Sequence, residues 1–190
     1  TYNNSVAQEQ EKFDTEVVET LEEIKDWAKP DFERANNQTF INSVGQCVNS
    51  IYNTTTDIYP VNFEVLLAQA ALESGWGNSR FAVKANNLFG IRTWTESTPH
   101  LLPQGIEKWP GWGVRAFASK CDSVKEYVRL LNEHNAYKDF RELRAMMLSN
   151  NQQLDSFQLI KTLDKFSTTK DYDQRVIRMI KKIRKLEEEK

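Results

Sequence analysis

Apolar residues recur at Val17, Val18, Leu21, Ile24 and Trp27, the three- and four-residue spacing of one helix face, and Pro30 stops the run. This predicts a helix over Phe13–Trp27 behind a polar, frayed stretch at residues 1–12. Between Ala35 and Thr56 there is no charged residue, yet Phe40, Ile41, Val44, Cys47, Val48, Ile51 and Tyr52 keep helical spacing. Such a helix is expected to be buried on more than one side, with the run Asn53–Asp57 as a loop after it. A third helix is expected after Pro60, with Asn62 as N-cap and Glu64 in its first turn. Phe63, Leu66, Leu67, Ala70 and Ala71 form its buried stripe, and Gly75 and Gly77 supply the conformations that end it.

From Phe89 to Ala118 the helical period is lost and Gly, Pro and Trp accumulate. Ile91–Trp94 and Gly113–Phe117 read as short strands, and Pro99, Pro103, Gly105, Pro110 and Gly111 mark turns, which together predict a small β-hairpin. Helical spacing then returns. Ser123 and Glu126 form an expected capping box for a helix that buries Val124, Tyr127, Val128 and Leu131. Further helices follow through Phe140, Leu143 and Met147, through Leu154, Phe157, Ile160 and Leu163, and from about Tyr172 through Val176, Ile177, Ile180, Ile183 and Leu186. The pattern therefore predicts a mainly α fold of the α+β class.

A chain of 190 residues with 39% hydrophobic positions can bury a sizeable core. With 25 Lys and Arg against 27 Asp and Glu, the net charge of -2 argues against nucleic acid as a partner, since phosphate binding relies on a basic face. The last helix carries Arg175, Arg178, Lys181, Lys182, Arg184 and Lys185 on its outer side, a solvated face or an attraction to an anionic surface. No apolar run of about 18 residues is present to span a bilayer. The chain starts at Thr1 with no signal-peptide pattern, consistent with a targeting segment removed earlier.

Cys47 and Cys121 stand far apart, so two buried free thiols are the default expectation and a single disulfide, suited to an extracytoplasmic protein, is the alternative. His100 and His134 are too few for a zinc site, and no serine-hydrolase elbow or phosphate-binding glycine loop occurs. No metal and no cofactor is expected.

The stretch that carries chemistry is Leu66–Ile91. Glu73 follows Ala70 by three residues and so lies on or beside the apolar stripe, in the last turn of its helix. Apolar neighbours and the negative end of the helix dipole both favour a retained proton, which is what a general acid needs. A solvent-facing Glu73, or one paired with Arg80, is the reading without chemistry.

The strings Ala70-Ala71-Leu72-Glu73-Ser74-Gly75-Trp76-Gly77 and Asn86-Asn87-Leu88-Phe89-Gly90-Ile91 resemble the signature of bacterial glucosaminidases of the lysozyme superfamily, a family of flagellar-rod peptidoglycan hydrolases, surface autolysins and Bax-type proteins. The resemblance runs from about Val61 to Ile183. It implies a lysozyme-like helical domain over residues 36–190, with the hairpin beside an active-site cleft and residues 1–35 as a helical extension packed on it. It also implies a peptidoglycan hydrolase of the endo-β-N-acetylglucosaminidase type, cutting the β-1,4 bond after N-acetylglucosamine. The expected partner is peptidoglycan or another N-acetylglucosamine-containing glycan, the expected location the cell envelope, and the expected state a monomer. A lytic transglycosylase of the same superfamily, or a glycan-binding module without turnover, are the rival readings.

The resemblance makes Glu73 the general acid. Glu107, between Ile106 and Trp109, resembles the second acidic position of some family members; a solvated hairpin charge is its other reading, and Glu96 competes weakly for the role. The substrate-binding set it implies is Trp76, Asn86, Asn87, Phe89, Trp109, Trp112 and Tyr172, and Trp94 offers one more flat apolar face for a pyranose ring. Phe166–Tyr172 resembles the family's Tyr-x-Thr-Asp-x-x-Tyr lead into the last helix, with Phe166 in place of the usual first tyrosine.

Overall fold

A computed structural model of the chain describes Pro30, Phe32, residues 36–54 and residues 59–190. The helix expected at Phe13–Trp27, most of the 1–35 extension and residues 55–57 of the expected loop lie outside the described residues. The described chain forms α1 (Asn37–Thr54), α2 (Phe63–Ser74), α3 (Arg80–Ala85), three short strands β1 (Arg92–Thr93), β2 (His100–Leu101) and β3 (Gly113–Arg115), then α4 (Lys120–Glu133), a 3₁₀ turn at Asn135–Tyr137, α5 (Lys138–Ser149), α6 (Ser156–Lys161) and α7 (Tyr172–Glu188).

Helix α2 is the axis of the core. Its N-cap is Asn62, whose Oδ1 accepts from the Val65 amide at 3.0 Å, and Gly75 closes it in the left-handed conformation. Residues 65–71 and Ser74 are all buried, so α2 is enclosed on every side and not only along the expected stripe. Phe63, expected inside, is 40% exposed. Around α2 stand α1, α6 and α7, with α4 against α1. Helix α1 buries Phe40, Ile41, Val44, Cys47, Val48 and Ile51 as its uncharged sequence predicts, and α7 buries Val176, Ile177, Ile180 and Ile183 on its expected face.

The sheet departs from the expected hairpin. β1 and β3 do pair antiparallel, Arg92 opposite Val114, but β2 joins the other edge of β3, His100 opposite Arg115, giving the order β1-β3-β2. Two residues of β2 carry too little alternation to be read from sequence; the strand exists because β3 offers it a second edge and Ala116 N–H bonds to Pro99 O at 2.8 Å. The expected capping box is also displaced. The N-cap of α4 is Ser119, whose Oγ accepts from Asp122 N–H at 3.1 Å and donates to the Asp122 carboxylate at 2.9 Å. Ser123 is instead buried, bonded to Lys120 O and to Leu88 N–H, and Glu126 pairs with Arg115 and Arg129.

The default expectation for the cysteines is overturned. Cys47 of α1 and Cys121 of α4 form a disulfide, with their Cα atoms 5.0 Å apart. The two helices pack side by side, which brings together residues separated by 74 positions, and no local spacing could announce that.

Candidate active site

Helix α2 ends in a turn built from three consecutive left-handed residues, Gly75 (φ 54°), Trp76 (φ 58°) and Gly77 (φ 84°). Ser74 holds this turn: its Oγ donates to Ala70 O at 2.6 Å and accepts from Gly77 N–H at 2.8 Å. A side chain at Gly77 would meet the Phe40 ring at 3.2 Å, so only glycine suits both its angle and its space. Strained backbone of this kind gathers at functional sites. Glu73 stands two residues before this turn.

The Glu73 carboxyl is half-buried and lies beside the loop 86–91, where a Cβ on Gly90 would sit 3.7 Å from its Oε2. Gly90 itself has a φ of 66°, which a larger residue adopts at a cost. Burial pushes the Glu73 carboxyl above the usual carboxylate range, and a hydrogen bond from the Tyr172 hydroxyl pulls part of the way back. Tyr172, at the first turn of α7, is itself raised, by burial first and by the Glu73 charge second, so it stays a phenol and a donor. The placement at a helix end beside buried apolar residues is as expected, and burial acts on the carboxyl in the expected direction; no pairing with Arg80 occurs, and Arg80 bonds to Leu102 O.

Behind Tyr172 lies a polar thread that sequence reading missed. Gln69 is fully buried; its Nε2 donates to the Tyr172 hydroxyl at 3.1 Å, and its Oε1 accepts from the hydroxyl of Tyr127. Gln69 stands four residues before Glu73 on the same helix, and that spacing was the available signal.

The other expected site residues divide into two groups. Asn87 is buried, with Nδ2 donating to Ile91 O and Arg115 O and Oδ1 accepting from the Phe89 and Ile91 amides, so its amide is spent on shaping the loop. Asn86 caps α3 and binds Phe117 O, Ala118 O and Lys120 Nζ. Phe89 is 2% exposed and stacked on Tyr127 at 4.2 Å, and Trp76 packs edge-on to Phe40 at 5.7 Å. All four make contacts within the fold, and Trp76 and Asn86 stay half-buried. Trp112 lies under the Arg92 guanidinium at 4.1 Å, Trp109 leans on His100 at 4.7 Å, and Trp94 is 71% exposed.

Glu107 is exposed in the loop between β2 and β3, Glu96 is exposed after β1, and neither is among the groups that shift Glu73. A depression of about 620 Å³ is lined by Tyr59, Arg115, Phe117, Lys125, Glu126 and Arg129, among others; none of the expected site residues borders it. No cluster of three or more metal-binding side chains occurs among the described residues. What the arrangement around Glu73 can do is favour a retained proton through burial and steady the carboxylate once that proton has left.

Comparison with known proteins gives the same direction. The glucosaminidase family, described as mannosyl-glycoprotein endo-beta-N-acetylglucosaminidase, matches residues 49–185. Protein bax of Escherichia coli K12 is 35% identical over 112 residues, 59% of this chain and 38% of that protein. Exo-glucosaminidase LytG of Bacillus subtilis 168 is 40% identical over 76 residues, 40% of this chain and 26% of that protein. The chain therefore spans less than half the length of either relative. In fold, it is similar to the glycoside hydrolase domain of Salmonella typhimurium FlgJ, with a TM-score of 0.54 and 20% identity over 82% of this chain and 92% of that one.

Proposed function

Because the chain belongs to the glucosaminidase family of glycoside hydrolases, we propose that it cleaves the β-1,4 bond after N-acetylglucosamine in peptidoglycan, with Glu73 as general acid. The observation that carries the reading is the placement of the Glu73 carboxyl, half-buried in the last turn of α2 beside Gly90, where burial favours its protonated form.

Glycoside hydrolysis needs a proton on the departing oxygen and a means of bearing positive charge on the sugar until water adds to the anomeric carbon. Glu73 gives the proton, and Tyr172 stabilises the carboxylate that forms. The positive charge falls either to the substrate's acetamido group or to Glu107 acting through a water. Since Glu107 is exposed in the loop between β2 and β3, we favour the acetamido group. Trp94, Trp109 and Trp112 offer faces for pyranose rings, whereas the Tyr172 ring is buried against Phe166.

The family description names endo action, whereas LytG is named an exo-glucosaminidase, so product length is part of the test. Purified peptidoglycan is digested and its new ends are identified by mass spectrometry. Reducing N-acetylglucosamine ends on oligosaccharides of many lengths are expected. Anhydro-muramic ends make it a lytic transglycosylase, and stable binding without fragments makes it a glycan-binding module.

We place the protein in the cell envelope. The Cys47–Cys121 disulfide supports this, because such bonds persist in oxidising compartments.

A further inference from the structure

Gln69 lies one turn before Glu73 and is fully buried, a position where an amide must find partners on both of its ends. Its Oε1 accepts from Tyr127 on α4, and its Nε2 donates to Tyr172 on α7 at 3.1 Å. Tyr127 has a single hydroxyl hydrogen, and spending it on Oε1 settles which way round the amide sits. The Tyr172 oxygen is then occupied as an acceptor, which leaves its own hydrogen for Glu73. The two hydrogen bonds run in one direction, from Tyr127 through Gln69 to Tyr172, whose hydroxyl in turn acts on the Glu73 carboxyl. That direction suits an ionised Glu73.

We propose that Gln69 is a positioning residue for the proton donor: its amide, oriented by Tyr127, holds the Tyr172 hydroxyl as a donor to the Glu73 carboxylate that proton transfer leaves behind. The inference rests on the reading of Glu73 as general acid. If the amide turned over, Tyr172 would donate to Oε1 and could only accept from a protonated Glu73, while the Tyr127 hydrogen would be stranded in the core. Stranding a buried hydroxyl is costly, so the first arrangement holds. Phe166, stacked on Tyr172 at 6.1 Å and edge-on to Tyr127 at 5.8 Å, confines both rings and brings no hydroxyl to compete for Gln69.

The surroundings of Glu73 keep this thread decisive. Gly90 faces it from the loop 86–91, Tyr172 faces it from α7, and Gln69 and Tyr127 behind them are neutral. No charged side chain from α2, α4, α7 or that loop acts on it among the described residues.

The test is Gln69→Met, which keeps length and approximate volume and removes both hydrogen bonds. The pH profile of kcat on soluble peptidoglycan chains is measured together with the carboxyl titration of Glu73 by carbon-13 NMR. The expected result is a kcat lower by about tenfold, the scale of one hydrogen bond to a charged group, with the alkaline limb and the NMR titration both moved to higher pH. A merely structural role would loosen the packing, admit water and move both to lower pH; that result, or an unmoved titration, overturns the proposal. Tyr127→Phe loses one oxygen only, and the same upward direction is required of it if Gln69→Met does not fold. Full activity in Glu73→Gln would defeat the reading of Glu73 instead, and the NMR titration, which needs no turnover, would still judge the network.

Discussion

Arg184 grips Glu64 with both arms of its guanidinium, Nε to Oε2 at 2.6 Å and Nη2 to Oε1 at 2.8 Å. Glu64 is in the first turn of α2 and Arg184 is near the end of α7, whereas Glu73 and Tyr172 meet at the opposite ends of the same two helices. The helices therefore run antiparallel, and the ion pair holds the register that places Tyr172 at Glu73. One cation of the expected solvated face of α7 is thus committed to the core helix.

Glu64→Gln should lower the melting temperature slightly. The pair is about half exposed on the Arg184 side, so roughly 0.5–1 kcal/mol is the expected scale. Arg184, with Ser156 assisting, holds the Glu64 carboxyl below its ordinary value of 4.5, so this stabilisation is present above that pH and is lost as the pH falls through the lowered value. Thermal melts should show the gap between the two proteins at pH 7 closing as the pH falls below the ordinary value of 4.5; a gap that widens in acid contradicts the assignment.

Glu73→Gln should fold and lose at least ~100-fold in activity, the usual scale of acid–base assistance. Its stability carries an independent sign. A carboxyl raised by burial is stabilising to the fold only while protonated, and that contribution fades as the pH rises through the raised value. The glutamine should therefore melt no lower than the parent at pH 8, and a marked drop there would count against a desolvated Glu73.

Glu107→Gln separates a base from a bystander. With the acetamido group bearing the charge, the variant should keep kcat within about threefold of the parent, far from the loss at Glu73 and below the range of general-base assistance. A loss matching Glu73→Gln in a steady-state assay would return Glu107 to the chemistry.

Reduction of the Cys47–Cys121 bond, or the double change Cys47→Ala with Cys121→Ala, should destabilise the domain. Closing a loop across 74 positions corresponds to about 4 kcal/mol in the chain-entropy treatment. Chemical denaturation with and without reductant measures it directly, and coincident midpoints would show that the crosslink adds nothing.

The helices were legible because each is written in neighbouring residues. Val176, Ile177, Ile180 and Ile183 repeat every three or four positions, and they are the residues α7 buries. The same reasoning went wrong where a rule had two places to apply: Ser119-Asp122 and Ser123-Glu126 both fit a capping box, and packing of Ser123 beneath Leu88 decided for the first. Asn87 and Phe89 belong to a recognisable string, yet only the folded loop reveals that the amide of one and the ring of the other are consumed by the core.

Taken alone, the order of residues determined the helical class, the termini of α2 and an acid held at its last turn, because periodicity, caps and the dipole act within a few residues of one another. Tertiary structure decided who meets that acid. Tyr172 is 99 positions away and Tyr127 reaches it only through Gln69, and such partnerships, like the disulfide and the third strand, depend on how helices cross once their apolar faces are buried, which no short-range spacing encodes.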